Sequence, residues 1–237
     1  MSSKLKIIPL FLTITYIFFS NIISQHKLYA QPPFQVEWSI GRELHYLNFI
    51  PSSGETAIGW GLGITYSISN SPFSLGASFT SLKYGYEEFA VILQNFTIDM
   101  DLENNIIQWH IMLRLISKSG KIRPYLEGLI GFNYLSTQTI FKDPENGRKL
   151  GIVTNKDDLV FSYGAGFGFM IKLFDAEKSN GTPGIFLNFK GRYLLGDRAE
   201  FFKDNVILNL VEDPESVEVT KSETNLLMGL IGILIEF

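Results

Sequence analysis

The sequence of 237 residues contains no cysteine, which excludes disulfide bonds, thiolate metal sites and cysteine nucleophiles. Beyond residue 24 it also lacks any run approaching the roughly 18 to 20 apolar residues that a membrane-spanning helix needs, so a helical membrane protein is not expected. Acidic residues outnumber basic ones by 24 to 20, giving a net charge of −4. This balance argues against nucleic acid as a partner.

Glycine and aromatic residues are abundant, and together they favour β-structure. The chain has 21 glycines and 14% aromatic residues, a composition that suits an all-β protein better than a helical one. The length fits a single domain once a targeting segment is set aside.

The first 30 residues (1–30) have the organisation of a secretory signal peptide. Lys4 and Lys6 precede an apolar segment over residues 7–23, and the region ends on the small residue Ala30. We expect cleavage after Ala30, which leaves residues 31–237 as one barrel domain. An uncleaved anchor helix is the alternative.

Residues 159–173 (LVFSYGAGFGFMIKL) alternate between two kinds of side chain. One set is apolar and mostly bulky: Leu159, Phe161, Tyr163, Ala165, Phe167, Phe169, Ile171 and Leu173. The other set is dominated by small residues: Val160, Ser162, Gly164, Gly166, Gly168, Met170 and Lys172. A period of two predicts a strand with these sets on opposite faces. A soluble barrel fills its inside with bulky apolar side chains, so this inverted arrangement is typical of a membrane barrel.

The same alternation predicts eight strands. Their approximate ranges are 35–44, 56–68, 73–86, 107–115, 122–136, 159–173, 185–195 and 225–237. In the third, the apolar positions change from odd to even numbers, which predicts a β-bulge near Thr80 and an outward-facing Leu82.

The predicted connections are long after strands one, three, five and seven and short after two, four and six. The long ones include residues 87–105, 137–158 and 197–223. This alternation of long and short connections predicts an all-β, eight-stranded, antiparallel, up-and-down transmembrane β-barrel, with both termini and the short turns on the periplasmic side. The long connections would face outward.

Several motifs together resemble a known class of protein. They are the signal segment, the eight alternating strands, the strands FSYGAGFGF and RPYLEGLIGFNYL, and the terminal Phe237. This combination resembles small outer-membrane barrels of the OmpA/OmpX kind, and more closely the outer-membrane β-barrel domain proteins of Bacteroidota, which include PorT-like members. The resemblance implies a location in the cell outer membrane, with outer-membrane lipid as a partner.

The resemblance also implies an assembly signal at the C-terminus. In such proteins the barrel-assembly machinery reads a terminal aromatic residue with apolar residues at alternate positions before it. The matching positions are Ile231, Ile233, Ile235 and Phe237. Phe237 also suits an interfacial anchor, and both roles can hold together.

Charged side chains of both signs fall on the predicted inner face. They are Glu37, His110, Arg114, Glu127, Lys172, Lys190 and Arg192. An eight-stranded barrel is just wide enough for side chains to fill it, so these charges should pair into a salt-bridged plug. The alternative is a narrow ion path or a proton relay through His110 and Glu127. Strand register would place Glu127 opposite either His110 or Met112.

A catalytic reading has little support in the sequence. His45 lies near Ser52, Ser53 and Glu43, so a triad like that of a lipid-modifying barrel enzyme is arithmetically possible, but a lone loop histidine is more often solvated. The glycines at alternate positions in two of the strands have a period of two and no following helix, which excludes a nucleotide loop. We expect no enzyme activity, no cofactor and no metal.

Function is therefore expected in the outward-facing connections, because binding sites in barrels are carried by loops on a scaffold of strands. In residues 197–223, Phe201 and Phe202 are candidate contacts, and an apolar island at 206–211 suits a hairpin. The leading hypothesis is a structural or surface-binding protein. The alternatives are a component of a secretion or transport complex with an envelope protein partner, PorT-like, or a narrow channel.

Overall fold

The computed structural model describes residues 34–43, 57–93, 96–117, 119–144, 146–174, 183–202 and 219–237. In these residues the strands are β1 (Phe34–Glu43), β2 (Ile58–Ser67), β3 (Phe73–Leu93), β4 (Phe96–Ile116), β5 (Ile122–Lys142), β6 (Lys149–Phe174), β7 (Gly184–Gly196), β8 (Arg198–Phe202), β9 (Val219–Glu223) and β10 (Leu226–Glu236). No helix in the described ranges is long and apolar enough to cross a membrane.

Eight of these strands form a closed antiparallel barrel in the order β1-β10-β7-β6-β5-β4-β3-β2. Closure joins the first strand to the last, with Val36 opposite Ile235 and Ile40 opposite Ile231. The eight-stranded antiparallel barrel predicted from the alternation is thereby confirmed. A ring of strands leaves no exposed sheet edge where all eight are paired.

The barrel is apolar outside and polar or small inside. On β2, Trp60, Leu62 and Ile64 are exposed, whereas Gly61 and Thr65 between and beside them are buried. At some inward positions the backbone of the neighbouring strand lies so close that only glycine fits. A Cβ on Gly131 would lie 1.8 Å from the carbonyl oxygen of Trp109 on the neighbouring strand.

Two of the predicted long connections are wrong, because the residues continue as strands. Residues 87–105 lie largely in β3 and β4, and residues 137–158 lie largely in β5 and β6. The start of β4 does alternate, with apolar side chains at every second position (Phe96, Ile98, Met100 and Leu102), and the prediction of a connection overlooked this signal. The β5–β6 extension is largely polar and has no such pattern. Polar side chains join their strands instead: Thr137 donates to Asn104 Oδ1 at 2.7 Å, and Asn155 donates to Thr139 Oγ1 at 2.7 Å.

The predicted bulge in β3 lies later in the strand than Thr80. The β2–β3 pairing runs without a shift from Ser74 to Lys83, and the irregularity lies between Lys83 and Tyr86. Leu82 faces inward and is buried, in an apolar cluster inside the barrel. Between Lys83 and Tyr86, β3 has two residues opposite one residue of β4. The extra residue predicted for this strand therefore exists, a few positions later than expected, and Leu82, which precedes it, belongs to an apolar interior layer.

Residues 197–223, predicted as a loop, include a separate two-stranded hairpin of β8 and β9. Ala199 on β8 is buried in the same apolar cluster as Leu82, so the hairpin lies against the end of the barrel interior. Phe201 and Phe202 belong to β8, paired with Thr220 and Val219. The apolar island at 206–211 lies outside the described residues.

Candidate functional site in the barrel interior

Four strands bring a group of charged side chains into the barrel interior. The members are Glu37 on β1, Arg114 on β4, Glu127 on β5, and Lys190 and Arg192 on β7. All five are buried, and Arg114 is 0% exposed. Each stands at an inward position of its strand, with exposed or half-exposed neighbours on either side. We call these five residues the charged cluster.

The charged cluster is a chain of alternating charges. Lys190 Nζ donates to Glu37 Oε1, and Arg114 Nη2 lies 3.4 Å from Glu37 Oε2 and 2.9 Å from Glu127 Oε2. Arg192 Nε donates to Glu127 Oε1 at 2.6 Å. Arg114 therefore bridges both carboxylates, and each carboxylate is bound by two cations. Such pairing is what allows ions to remain in a buried interior.

Neighbouring side chains fill the space around Arg114. Its guanidinium carbon lies 4.3 Å from the centre of the Tyr125 ring, a cation–π arrangement. The Tyr125 hydroxyl donates to Asn188 Oδ1 at 2.9 Å, and Met112 Sδ lies 3.9 Å from nitrogens of both Arg114 and Arg192. The middle of the interior is thus packed with side chains.

His110 lies on the inner face, but its side chain is hydrogen-bonded to Ser162 rather than to the charged cluster. Its Nε2 is 2.9 Å from Ser162 Oγ. The predicted pairing of Glu127 with His110 or Met112 is wrong, because in the observed register Glu127 is opposite Arg114. Register is set by pairing along the whole β4–β5 ladder, which the local alternation of one strand does not fix.

Lys172, the remaining predicted member, is half-buried near the end of β6, opposite Phe186. The four ion pairs of the charged cluster do not include it. The structure therefore brings five of the seven predicted interior residues into one connected group, places His110 beside it and leaves Lys172 apart from it.

A second polar group near the ends of β1, β5 and β10 escaped the sequence analysis. Arg123 Nη1 lies 3.0 Å from Glu236 Oε2, and Gln35 Nε2 donates to the same oxygen at 3.1 Å. Thr65 donates to Gln35 Oε1 at 3.0 Å. The available signal was parity: Arg123 shares the inward alternation of Tyr125.

At the other end, an apolar layer fills the interior. Leu82, Ile106, Leu135, Val160 and Leu226 are buried there in one cluster. The interior thus has polar, charged and apolar layers in succession along the barrel. An ion passing through the barrel would have to cross the apolar layer, where no partner for a charge is available among these side chains.

The residues of the predicted assembly signal lie at the end of β10. Ile231 and Ile233 are exposed on its outer face, and Ile235 is half-buried. Phe237 is exposed, and its N–H donates to Phe34 O at 2.9 Å.

The candidate triad residues His45, Ser52 and Ser53 lie outside the described residues, as does the side chain of Glu43. Among the described residues, no group of three His, Cys, Asp or Glu side chains is placed to hold a metal ion.

Comparison with known proteins gives only structural likenesses. No protein-family model and no curated protein matches the chain. Among solved structures, Neisserial surface protein A aligns with a TM-score of 0.41 and 10% identity, covering 88% of this chain and 98% of that one. Ail, the attachment invasion locus protein of Yersinia pestis, aligns in complex with the heparin analogue sucrose octasulfate with a TM-score of 0.38 and 14% identity, covering 86% and 96%. A second structure of Ail gives a TM-score of 0.36. At these scores the likenesses carry no argument about function, and the barrel is established by its own strand pairing.

Proposed function

We propose that this chain is an integral outer-membrane protein whose barrel anchors outward-facing segments with a structural or binding role. One observation carries the proposal: the barrel is apolar where it is exposed and charged where it is buried. Exposed positions include Trp38, Ile64, Ile111, Ile130 and Phe167. A soluble monomer rarely exposes so large a continuous apolar surface, whereas hydrocarbon around a barrel solvates it.

The filled interior favours an anchor over a channel. The charged cluster is closed by its own ion pairs, and the apolar layer lies between it and the hairpin end of the barrel. Both features oppose a continuous water path. We therefore propose that the barrel does not conduct ions.

The extended β5–β6 hairpin supports a binding role beyond the membrane. From the exposed Phe161 to the exposed Leu150, β6 continues for about 35 Å at roughly 3.3 Å per residue. Ile152 and Val153, near its tip, are also exposed. Aliphatic side chains in water at the end of a hairpin suit contact with another protein, so this tip is the candidate surface for an envelope protein partner in a secretion complex.

Gel mobility of the membrane fraction tests the anchor directly. A closed barrel in outer membranes should migrate differently before and after boiling, and its N-terminal sequence should begin at Gln31 if residues 1–30 are a cleaved signal peptide. A protein found soluble in the periplasm, with no heat-dependent shift, would overturn the proposal and favour a soluble ligand-binding barrel.

Co-purification in mild detergent separates the two candidate roles. A component of a secretion complex should bring down a stable partner that is lost when Leu150 and Ile152 are both replaced by asparagine. A protein acting as a structural element alone should purify without a stoichiometric partner in either form. A variant with Lys149→Asn, at the same tip, controls for nonspecific effects.

A further inference from the structure

The outer wall of the barrel carries a groove of about 740 Å³. It runs across the wall from Val36 on β1 to Phe161 on β6, and the side chains that face it are apolar. Two polar residues at its floor, Ser78 and His110, turn their side chains into the barrel, where they bond to Arg192 and Ser162. Apart from the indole N–H of Trp109, the groove offers its occupant no polar side-chain group.

The groove exists because a small residue stands between larger ones. Ala77 on β3 is exposed, and its direct cross-strand partners are Ile64 on β2 and Ile111 on β4. A methyl group between two isoleucines leaves a depression in the surface. Ile64 and Ile111 belong to the same outward row, so the depression continues over several strands.

Aromatic rings form one wall of the groove. Phe79, Trp109, Phe132 and Phe161 are directly opposite one another on β3, β4, β5 and β6. The Phe79 and Trp109 rings have centroids 5.8 Å apart, and those of Phe132 and Phe161 are 5.9 Å apart. The row thus lines one side of the groove with two pairs of aromatic rings.

The direction and length of the groove fit a single hydrocarbon chain. Crossing from β1 to β6 through their neighbours takes five strand spacings, about 24 Å at roughly 4.8 Å each. Strands tilted by about 40° carry such a row through a rise on the order of 15 Å, about half of the roughly 30 Å hydrocarbon core. A groove that slopes through one leaflet follows the path of an acyl chain rather than that of a compact ligand.

We propose that this groove binds one acyl chain of a membrane lipid as a defined site, distinct from the ordinary lipid surroundings of the barrel. The proposal rests on the proposed function, because it requires that the apolar belt face the bilayer. The absence of polar side-chain groups other than one indole means that recognition is of the chain and not of a headgroup. Ala77 controls the depth of the site, and Trp109 reports its occupancy.

The test uses the full protein extracted from membranes, freed of lipid in detergent, and titrated with phosphatidylcholine that carries brominated acyl chains. Bromine quenches tryptophan fluorescence at contact, so a version that keeps only Trp109 (Trp38→Phe, Trp60→Phe) reads the groove. Trp38 borders the groove through its partner Leu62, so the apolar belt outside the groove is read by a version that lacks all three native tryptophans and carries Phe167→Trp, at an exposed position on β6. Quenching of Trp109 should saturate at about one lipid per barrel, while quenching in the Phe167→Trp version should rise without saturation.

Two substitutions separate the site from general contact. Ala77→Phe fills the depression and should raise the lipid concentration for half-quenching of Trp109 by about tenfold, from the apolar contact it displaces. Leu75→Phe adds an aromatic ring to the same strand and the same face but outside the groove. It should leave that concentration unchanged within about twofold. Both variants should keep the heat-dependent gel shift, since both positions face outward.

Three results would overturn the proposal. Unsaturated quenching that is equal in the Trp109 version and the Phe167→Trp version would mean ordinary lipid contact. An unchanged titration in Ala77→Phe would remove the groove as its cause. Sedimentation showing a dimer that Ala77→Phe separates would make a second copy of the chain the occupant. A wild-type protein that is absent from membranes would instead refute the proposed function.

Discussion

Replacing Glu127 by glutamine should strongly destabilise the folded barrel. Glu127 is buried and binds Arg114 at 2.9 Å and Arg192 at 2.6 Å. The charged cluster has three cations and two carboxylates, so the substitution raises its net charge from about +1 to about +2 while removing no cation. Breaking a buried ion pair from one side typically costs about 3 to 5 kcal/mol, and we expect a loss of that size in the free energy of unfolding.

The assay is urea unfolding of the reconstituted barrel, followed by the heat-dependent gel shift. Glu103→Gln is the matched control, because Glu103 pairs with Lys83 at a partly exposed position, where such a pair contributes less than about 1 kcal/mol. Adding Arg192→Met to Glu127→Gln returns the cluster to its original net charge and should recover part of the loss. If Glu127→Gln costs no more than Glu103→Gln, the interior is hydrated and the reasoning about a closed cluster is refuted.

Three further predictions concern the wall, the interior and the C-terminus. Gly131→Ala should prevent or strongly impair folding, since its Cβ would lie 1.8 Å from Trp109 O, whereas Gly128→Ala, with nothing within 4 Å, should be neutral; the fraction of heat-shifted protein measures both. The wild-type barrel should show no steady conductance in planar bilayers, and regular openings would contradict the closed interior. Phe237→Ser should lower the amount of assembled barrel in outer membranes, while Phe174→Ser, at another exposed strand end, should not; equal yields would remove the C-terminal assembly role.

The two faces of each barrel strand were predictable because the alternation within a strand shows which of its side chains share a face. An apolar side chain on the outer face and a small or polar one inside give a period of two that needs no knowledge of partners. The inward positions of Glu37, Arg114, Glu127, Lys190 and Arg192 follow from this alone.

The contacts among those residues were not predictable in the same way. Glu127 meets Arg114 rather than His110 because the register of β4 against β5 is fixed by pairing over their full length. Lys190 on β7 reaches Glu37 on β1 across β10, a contact that depends on how the ring closes. Such contacts belong to the assembled barrel rather than to any one strand.

The strand extensions were missed for a different reason. In the β5–β6 extension the period of two is lost while backbone pairing continues. At the start of β4 the period persists in Phe96, Ile98 and Met100, and this signal was available in the sequence. Asn104, Thr137, Thr139 and Asn155 contain nothing that distinguishes a polar strand from a polar loop, and only their side-chain bonds in the structure reveal the difference. Leu82 was assigned to the wrong face because an apolar interior layer has the same composition as the apolar outer face.

Labelling of single cysteines on intact cells tests the central claim most directly, and the absence of native cysteine makes it simple. Lys149 is exposed at the start of β6, and Ser69 is exposed in the turn between β2 and β3, at the opposite end of the barrel. A membrane-impermeant maleimide should label Lys149→Cys on intact cells, and Ser69→Cys only after the outer membrane is permeabilised. Labelling of Ser69→Cys alone on intact cells, or recovery of both variants as soluble periplasmic protein, would contradict an outer-membrane barrel with its extended hairpins outside.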